Sequence, residues 1–148
     1  MLIREATPAD VPEIAKLEKE CFTTPWTEAI IEMQLQGPGR LMLAAESEGR
    51  FAGYMGLQYV LDEGYVTNVC TAPEFRRRGV AAALIDETAR RAGALGLAFL
   101  SLEVRVSNEA AIRLYEGRGF KRAGVRPGYY ERPAEDALIM NLSIRKDI

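Results

Sequence analysis

The chain has 148 residues, a formal net charge of -2, 48% hydrophobic residues and no histidine. That length suits one domain, 1–148, able to bury about two-thirds of its unfolded surface without a metal or disulfide staple. The near-neutral charge removes any general electrostatic attraction to nucleic acid, no segment approaches the ~20 apolar residues of a membrane span, and "MLIREATPAD" carries no apolar block of export-signal length.

The expected setting is therefore the cytoplasm. Cys21 and Cys70 are far apart in sequence, lack C-x-x-C spacing and are expected as reduced thiols. Without histidine, mixed Cys/His metal sites are ruled out, and no metal is expected.

The opening residues read as an early strand. "TPADVPEIAKLEKECF" then offers Thr7 as N-cap, Pro8 at the first helical position and the apolar row Val11, Ile14, Leu17, Cys21. Pro25 stops this helix, and "TEAIIEMQLQ" predicts a second one ending before "GPG". "RLMLAAESEGRFAGYMGLQYV" predicts two strands about a turn at "SEGR", and "EGYVTNVCTA" a third, together an antiparallel meander. "GVAAALIDETARRAGALG" is an amphipathic helix ended by Gly93 or Gly96, and "LAFLSLEVRV" a strand. "SNEAAIRLYEGRG" is a capped helix, with "FKRAGVR" and "DALIMNLSI" as the last two strands. This order predicts an α/β or α+β sheet covered by helices.

Within it, "RRRG" at Arg76, Arg77, Arg78 and Gly79 falls between a strand ending near Thr71 and a helix starting near Gly79. A helix start leaves N–H groups unpaired and carries partial positive charge, so acidic residues belong there and three arginines do not, unless an anion arrives. Charge alone leaves two readings open, a solvated turn and a phosphate cradle. Neither G-x-x-x-x-G-K-[ST] nor G-x-G-x-x-G is present, which weakens nucleoside triphosphate and dinucleotide readings.

The stretch Arg76–Ala81 resembles the Q/R-x-x-G-x-G/A signature of the GNAT superfamily of N-acetyltransferases, with alanine at a position where many members have glycine. "TPW" at 24–26, "LEVRVSNEAAIRLYEGRGF" at 102–120 and "YYERPAEDALIM" at 129–140 are similar to its bacterial RimI type, alanine N-acetyltransferases that modify the N-terminus of a ribosomal protein. Archaeal and eukaryotic Nα-acetyltransferase subunits share much of this pattern. The resemblance covers the whole chain. It implies the GNAT fold, a mixed and mostly antiparallel sheet of about seven strands flanked by about four helices, with acetyl coenzyme A as cosubstrate.

The same resemblance implies residue roles. Arg76, Arg77, Arg78, Gly79, Val80, Ala81 and Ala82 would cradle the pyrophosphate, the backbone of Val69, Cys70 and Thr71 would pair with the acetyl-pantetheine arm, and Asn108 would hydrogen-bond the coenzyme. Glu103 matches the family's proposed general base, and Tyr115 the acid that protonates the leaving thiolate. On residues alone, Glu103 alternates with the apolar Leu102 and Val104 and reads equally as a solvated carboxylate. Tyr115, seven residues after Asn108 on one helix face, reads equally as a core tyrosine.

Phe22, Trp26, Tyr129 and Tyr130 lie in regions that flank the acceptor groove of similar enzymes, although each also suits ordinary packing. At pH 7 an α-amine of pKa about 7.7–8.0 costs about 1–1.4 kcal/mol to neutralise, against about 4.6 for a lysine near 10.4, which favours a protein N-terminus as acceptor. Other N-termini, lysine or a small amine remain as alternatives. From a different class, so does a non-catalytic module that senses acetyl coenzyme A. No contact with nucleic acid or membrane is expected.

Overall fold

The computed structural model describes residues 1–35 and 37–145. Gln36, expected to close the second helix, and 146–148 at the end of the expected domain lie outside the described residues. In chain order the elements are β1 (Leu2–Glu5), α1 (Val11–Cys21), α2 (Glu28–Leu35), β2 (Arg40–Ser47), β3 (Arg50–Val60), β4 (Glu63–Thr71), α3 (Val80–Ala94), β5 (Phe99–Arg105), α4 (Glu109–Gly117), β6 (Lys121–Glu131) and β7 (Ala134–Ser143). One seven-stranded sheet runs β1-β2-β3-β4-β5-β7-β6, antiparallel everywhere except between β4 and β5. This is the expected mixed, mostly antiparallel α/β architecture.

Local chemistry explains the entry into α1. Thr7 caps a short 3-10 turn, Pro8–Asp10, and the α-helix proper begins at Val11. Arg4 ties this turn to the sheet, with Nη1 donating to Asp10 at 2.7 Å and Nε to Glu46 of β2 at 2.5 Å. The Arg4 guanidinium holds the Asp10 carboxyl below the usual carboxylate range.

Consecutive strand residues face opposite sides of the sheet, and β3 shows which helix covers which side. The Tyr54 hydroxyl donates to Glu18 of α1, while Met55 Sδ accepts from Thr88 of α3 at 3.1 Å. Helices α1 and α3 therefore lie on opposite faces, burying Ile14 and Leu17 from one and Leu84 and Ile85 from the other. Each such side chain contributes about 1.5–3 kcal/mol when fully buried.

A bulge lies where the sheet opens. Gly56 of β3 faces Asn68 of β4, but the next pair is Leu57 with Val66, so Thr67 is an extra residue in β4. A Cβ at Gly56 would sit 2.5 Å from Thr67 Oγ1, so any larger residue there would force the Thr67 side chain to move. Bulges bend the strand that carries them. Beyond the bulge β4 no longer pairs with β5: the parallel ladder holds only Glu63–Tyr65 against Phe99–Ser101, although β4 continues to Thr71 and β5 to Arg105.

Two expectations need correction. The strand expected at 120–126 runs on to Glu131, because Tyr130 and Glu131 pair with Glu135 and Ala134 across a tight turn. The cysteines are not free thiols: Cys21, the last residue of α1, is joined to Cys70 of β4 in a disulfide with a Cα–Cα separation of 6.7 Å. Sequence distance concealed this, since β4 passes beneath the end of α1 and directs Cys70 to that face.

Closing a loop across 49 residues contributes up to about 4 kcal/mol in the chain-entropy model. Urea unfolding of wild type, with and without a dithiol reductant, should show the midpoint fall on reduction, and Cys21→Ala/Cys70→Ala should match the reduced protein. An unchanged midpoint would mean that the bond adds nothing to stability.

Candidate active site

Where β4 and β5 part there is a cavity of about 360 Å³. It brings together eight residues singled out in the sequence: Phe22, Trp26, Val69, Glu103, Asn108, Tyr115, Tyr129 and Tyr130. A neighbouring cavity of about 540 Å³ shares Phe22, Tyr129 and Tyr130 and extends to Thr23 and Arg132. Val69 presents a strand edge here. On one side Val69, Cys70 and Thr71 pair with Met55, Tyr54 and Gly53, while the side toward β5 has no partner strand. Unpaired N–H and C=O groups along such an edge require partners.

Strand β5 alternates as its sequence indicates: Leu100, Leu102 and Val104 are buried, and Ser101, Glu103 and Arg105 are partly exposed. Glu103 Oε1 lies 3.4 Å from Arg126 Nη2 of β6, an ion pair open to solvent on the arginine side. Tyr115, in the second half of α4, is only 9% exposed and packs on Phe120 at 5.6 Å. Burial, with a smaller contribution from Tyr130, pushes its phenol up to about 12. It therefore stays protonated throughout the neutral range. Asn108 is the N-cap of α4, where its Oδ1 accepts from the Ala111 amide at 3.2 Å and leaves the side-chain NH₂ uncommitted by that bond.

The arginine loop stands apart, at the far end of β4. Arg76, Arg77 and Arg78 are exposed, Arg77 and Gly79 adopt positive φ of 63° and 79°, and α3 begins at Val80. No side chain caps α3, and its first turn holds no acid, whereas those of α1, α2 and α4 hold Glu13, Glu28 and Glu109. The amides of Val80, Ala81 and Ala82 thus sit at an uncapped, cationic helix start, which suits an anion. Arg78 partly spends its charge on Glu48 at 3.7 Å and on the Phe75 ring at 5.5 Å.

Sequence reading missed two organising residues. Arg105 donates to the carbonyls of Pro133 and Arg132 at 2.9 and 3.1 Å, pairs with Glu135, and stacks 4.2 Å over Tyr130. It thereby fixes the β6–β7 turn beside the two tyrosines. Glu18 is 1% exposed, and burial pushes its carboxyl up. The signal was faint: the apolar row Val11, Ile14, Leu17, Cys21 is complete without Glu18, which lies four residues after Ile14 on the same buried face.

Comparison with known proteins is consistent with this geometry. Residues 11–120 match the model of the acetyltransferase (GNAT) family. The chain belongs to that family. It is 36% identical, over 91% of its length and 92% of the relative's, to the [ribosomal protein bS18]-alanine N-acetyltransferase of Escherichia coli. The crystal structure of the ribosomal-protein-S18-alanine N-acetyltransferase from Escherichia coli superposes with a TM-score of 0.88 at 34% identity, covering 99% of this chain and 97% of that one. Ard1 from Thermoplasma volcanium superposes at 0.87 with 26% identity, covering 98% of each.

As a GNAT-family member the protein is an acetyl-CoA-dependent acetyltransferase. Two observations fit that ligand: the unpaired edge of β4 suits an amide-bearing arm, and the uncapped start of α3 suits phosphates. Coenzyme A should raise the melting temperature, by mass action about 2.7 kcal/mol at a hundredfold excess over Kd. In Gly79→Val most of that shift should vanish. No protein atom lies within 4 Å of an added Cβ, so the loss would come from the strain of valine at φ 79° and from blocked ligand approach. A full shift in the variant, measured by thermal unfolding with and without coenzyme A, would remove the loop from the binding site.

Proposed function

We propose that this protein transfers the acetyl group of acetyl-CoA to the N-terminal α-amine of a protein, with the alanine N-terminus of a small-subunit ribosomal protein as acceptor. The observation that carries this is the shared cavity: a carboxylate, Glu103, and a protonated phenol, Tyr115, face one space beside the unpaired edge of β4. The name of the Escherichia coli relative supports the acceptor. Residues 1–148 act as one domain, and ribosomal substrates imply work in the cytoplasm.

Acetyl-CoA supplies an acetyl thioester. The phosphates are held by Arg76, Arg77 and Arg78 with the amides from Gly79 to Ala82, and the arm is held by the backbone of Val69, Cys70 and Thr71. Asn108 contributes its side-chain NH₂. Glu103, through a water, takes a proton from the amine, and Tyr115 gives its proton to the departing sulfur. Phe22, Trp26, Tyr129 and Tyr130 wall the acceptor side. An α-amine asks little of a carboxylate base, because removing its proton at pH 7 costs only about 1–1.4 kcal/mol.

Mass spectrometry of peptides with varied N-termini, incubated with enzyme and acetyl-CoA, tests the substrate class. An alanine-starting peptide should outpace the same peptide N-terminally blocked but carrying lysine, and the reverse order would reject N-terminal acetylation. Glu103→Gln should lower kcat/KM about 10²–10⁴-fold near pH 7 and approach wild type by about pH 9, once the α-amine is neutral without help. A gap persisting to pH 10 would point to lysine.

Tyr115→Phe should keep the fold and coenzyme affinity while turnover drops about 10²-fold or more. With the phenol near 12, wild-type kcat should stay level from the acceptor's pKa to about pH 10. A loss of rate between pH 8 and 10 that Tyr115→Phe abolishes would mean a much lower phenol pKa than burial gives.

A further inference from the structure

The α1–α2 segment, residues 22–27, walls the acceptor side of the cavity yet contains neither helix nor strand. Between Thr23 and Trp26 the hydrogen bond that holds it among the described residues is a single one: the Trp26 amide donates to Glu18 Oε1 at 2.7 Å. The other carboxylate oxygen, Oε2, accepts from Asn68 Nδ2 of β4 at 2.8 Å and from the Tyr54 hydroxyl of β3. One buried carboxylate thus gathers a loop and two strands, and it pairs with no cation among the described residues. It also faces the cavity that holds Glu103 and Tyr115.

We propose that Glu18 is a positioning residue for the acceptor, fixing Trp26 and Phe22 against β4 so that the incoming N-terminus meets a preset wall. The coenzyme is met by backbone groups of β4 and by the start of α3, whereas the segment that Glu18 holds through the Trp26 amide lines the acceptor side, so Glu18 acts on acceptor binding and leaves acetyl-CoA binding alone. Its part is to accept hydrogen bonds and not to move protons. Glutamine can keep these contacts with their direction reversed at one end: its carbonyl serves the Trp26 amide, and its NH₂ donates to the Tyr54 hydroxyl oxygen and, once that amide turns over, to Asn68 Oδ1, which is buried without a partner. Leucine fills similar space but leaves the Trp26 amide, the Asn68 NH₂ and the Tyr54 hydroxyl without that acceptor.

The proposal rests on acetyl transfer to a peptide α-amine, and steady-state kinetics with an alanine-starting peptide test both. Glu18→Leu should raise the peptide KM about tenfold or more, because small displacements of a positioning wall are costly. It should leave the acetyl-CoA KM within about twofold and narrow the preference for alanine over a bulkier first residue. Glu18→Gln should remain within about threefold of wild type in every constant.

Glu18→Leu with an unchanged peptide KM, or with both KM values raised alike, would reduce Glu18 to a structural group. Equal loss of kcat in both variants would make it an acid-base residue. No wild-type turnover on any peptide would remove the proposed function and this inference with it. Should Glu18→Leu fail to fold, judged by loss of the coenzyme A-induced thermal shift, hydrogen exchange on wild type decides. The Trp26 amide should exchange far more slowly than those of Thr23 and Thr24, and equal rates would overturn the proposal.

Discussion

The parting of β4 from β5 is the constraint on which the rest of this structure depends. Three parallel pairs hold the two strands together at one end, and they part after Tyr65, just before the extra residue at Thr67. A sheet interior normally satisfies every backbone donor and acceptor. Here one edge of β4 is left open in the middle of the sheet, and a ligand arm with its own amides can complete it as a further strand would. The price is set at Gly56, where a Cβ would meet Thr67 Oγ1 at 2.5 Å. One small residue and one bulge thus adjoin the opening.

Around that opening, charges are sorted by distance from the reacting end. Three arginines, of which Arg78 is partly offset by Glu48, occupy the loop before a helix whose first turn holds no acid, where long-range attraction to phosphates works even when exposed. The interior end instead holds Glu103, Tyr115 and Glu18, whose environments differ. Glu103 keeps an arginine within 3.4 Å and access to solvent, as suits a base that works through water. Tyr115 is buried and neutral, as suits a donor. In the proposed reaction, acid and base work would fall to two groups of one cavity that differ in burial.

Most of the fold was legible because its signals are local. Caps, periodicity and glycine breaks reproduced the element order, and alternation on β5 correctly separated Glu103 from Leu102 and Val104. The arginine cluster was readable because acids are missing from a helix start that should attract them. What escaped depends on contacts that no window of sequence contains. Cys21 meets Cys70 only after β4 passes under α1, and Arg105 finds the carbonyls of Arg132 and Pro133 only once β6 and β7 turn back. The opening itself was equally hidden, since a bulge is a relation between strands and Thr67 looks like any strand threonine.

The two buried carboxylates of the α1 region show why Glu18 stands out. Asp10 has Arg4 beside it, so its carboxyl titrates below the usual range; its contribution to stability is present above its unfolded pKa and lost as pH falls through the folded one. Glu18 has the opposite sign. Burial raises its carboxyl, so the folded state holds its proton more tightly than the unfolded chain and stability declines as pH rises through that window. At neutral pH Asp10 therefore supports the fold while Glu18 works against it, relieved only by the Trp26 amide, Asn68 and Tyr54. An apolar residue at that point of α1 would widen the buried face that Val11, Ile14 and Leu17 already form. A carboxyl kept there at a cost, with its bonds directed to the wall of the proposed acceptor cavity, is what stability alone does not explain.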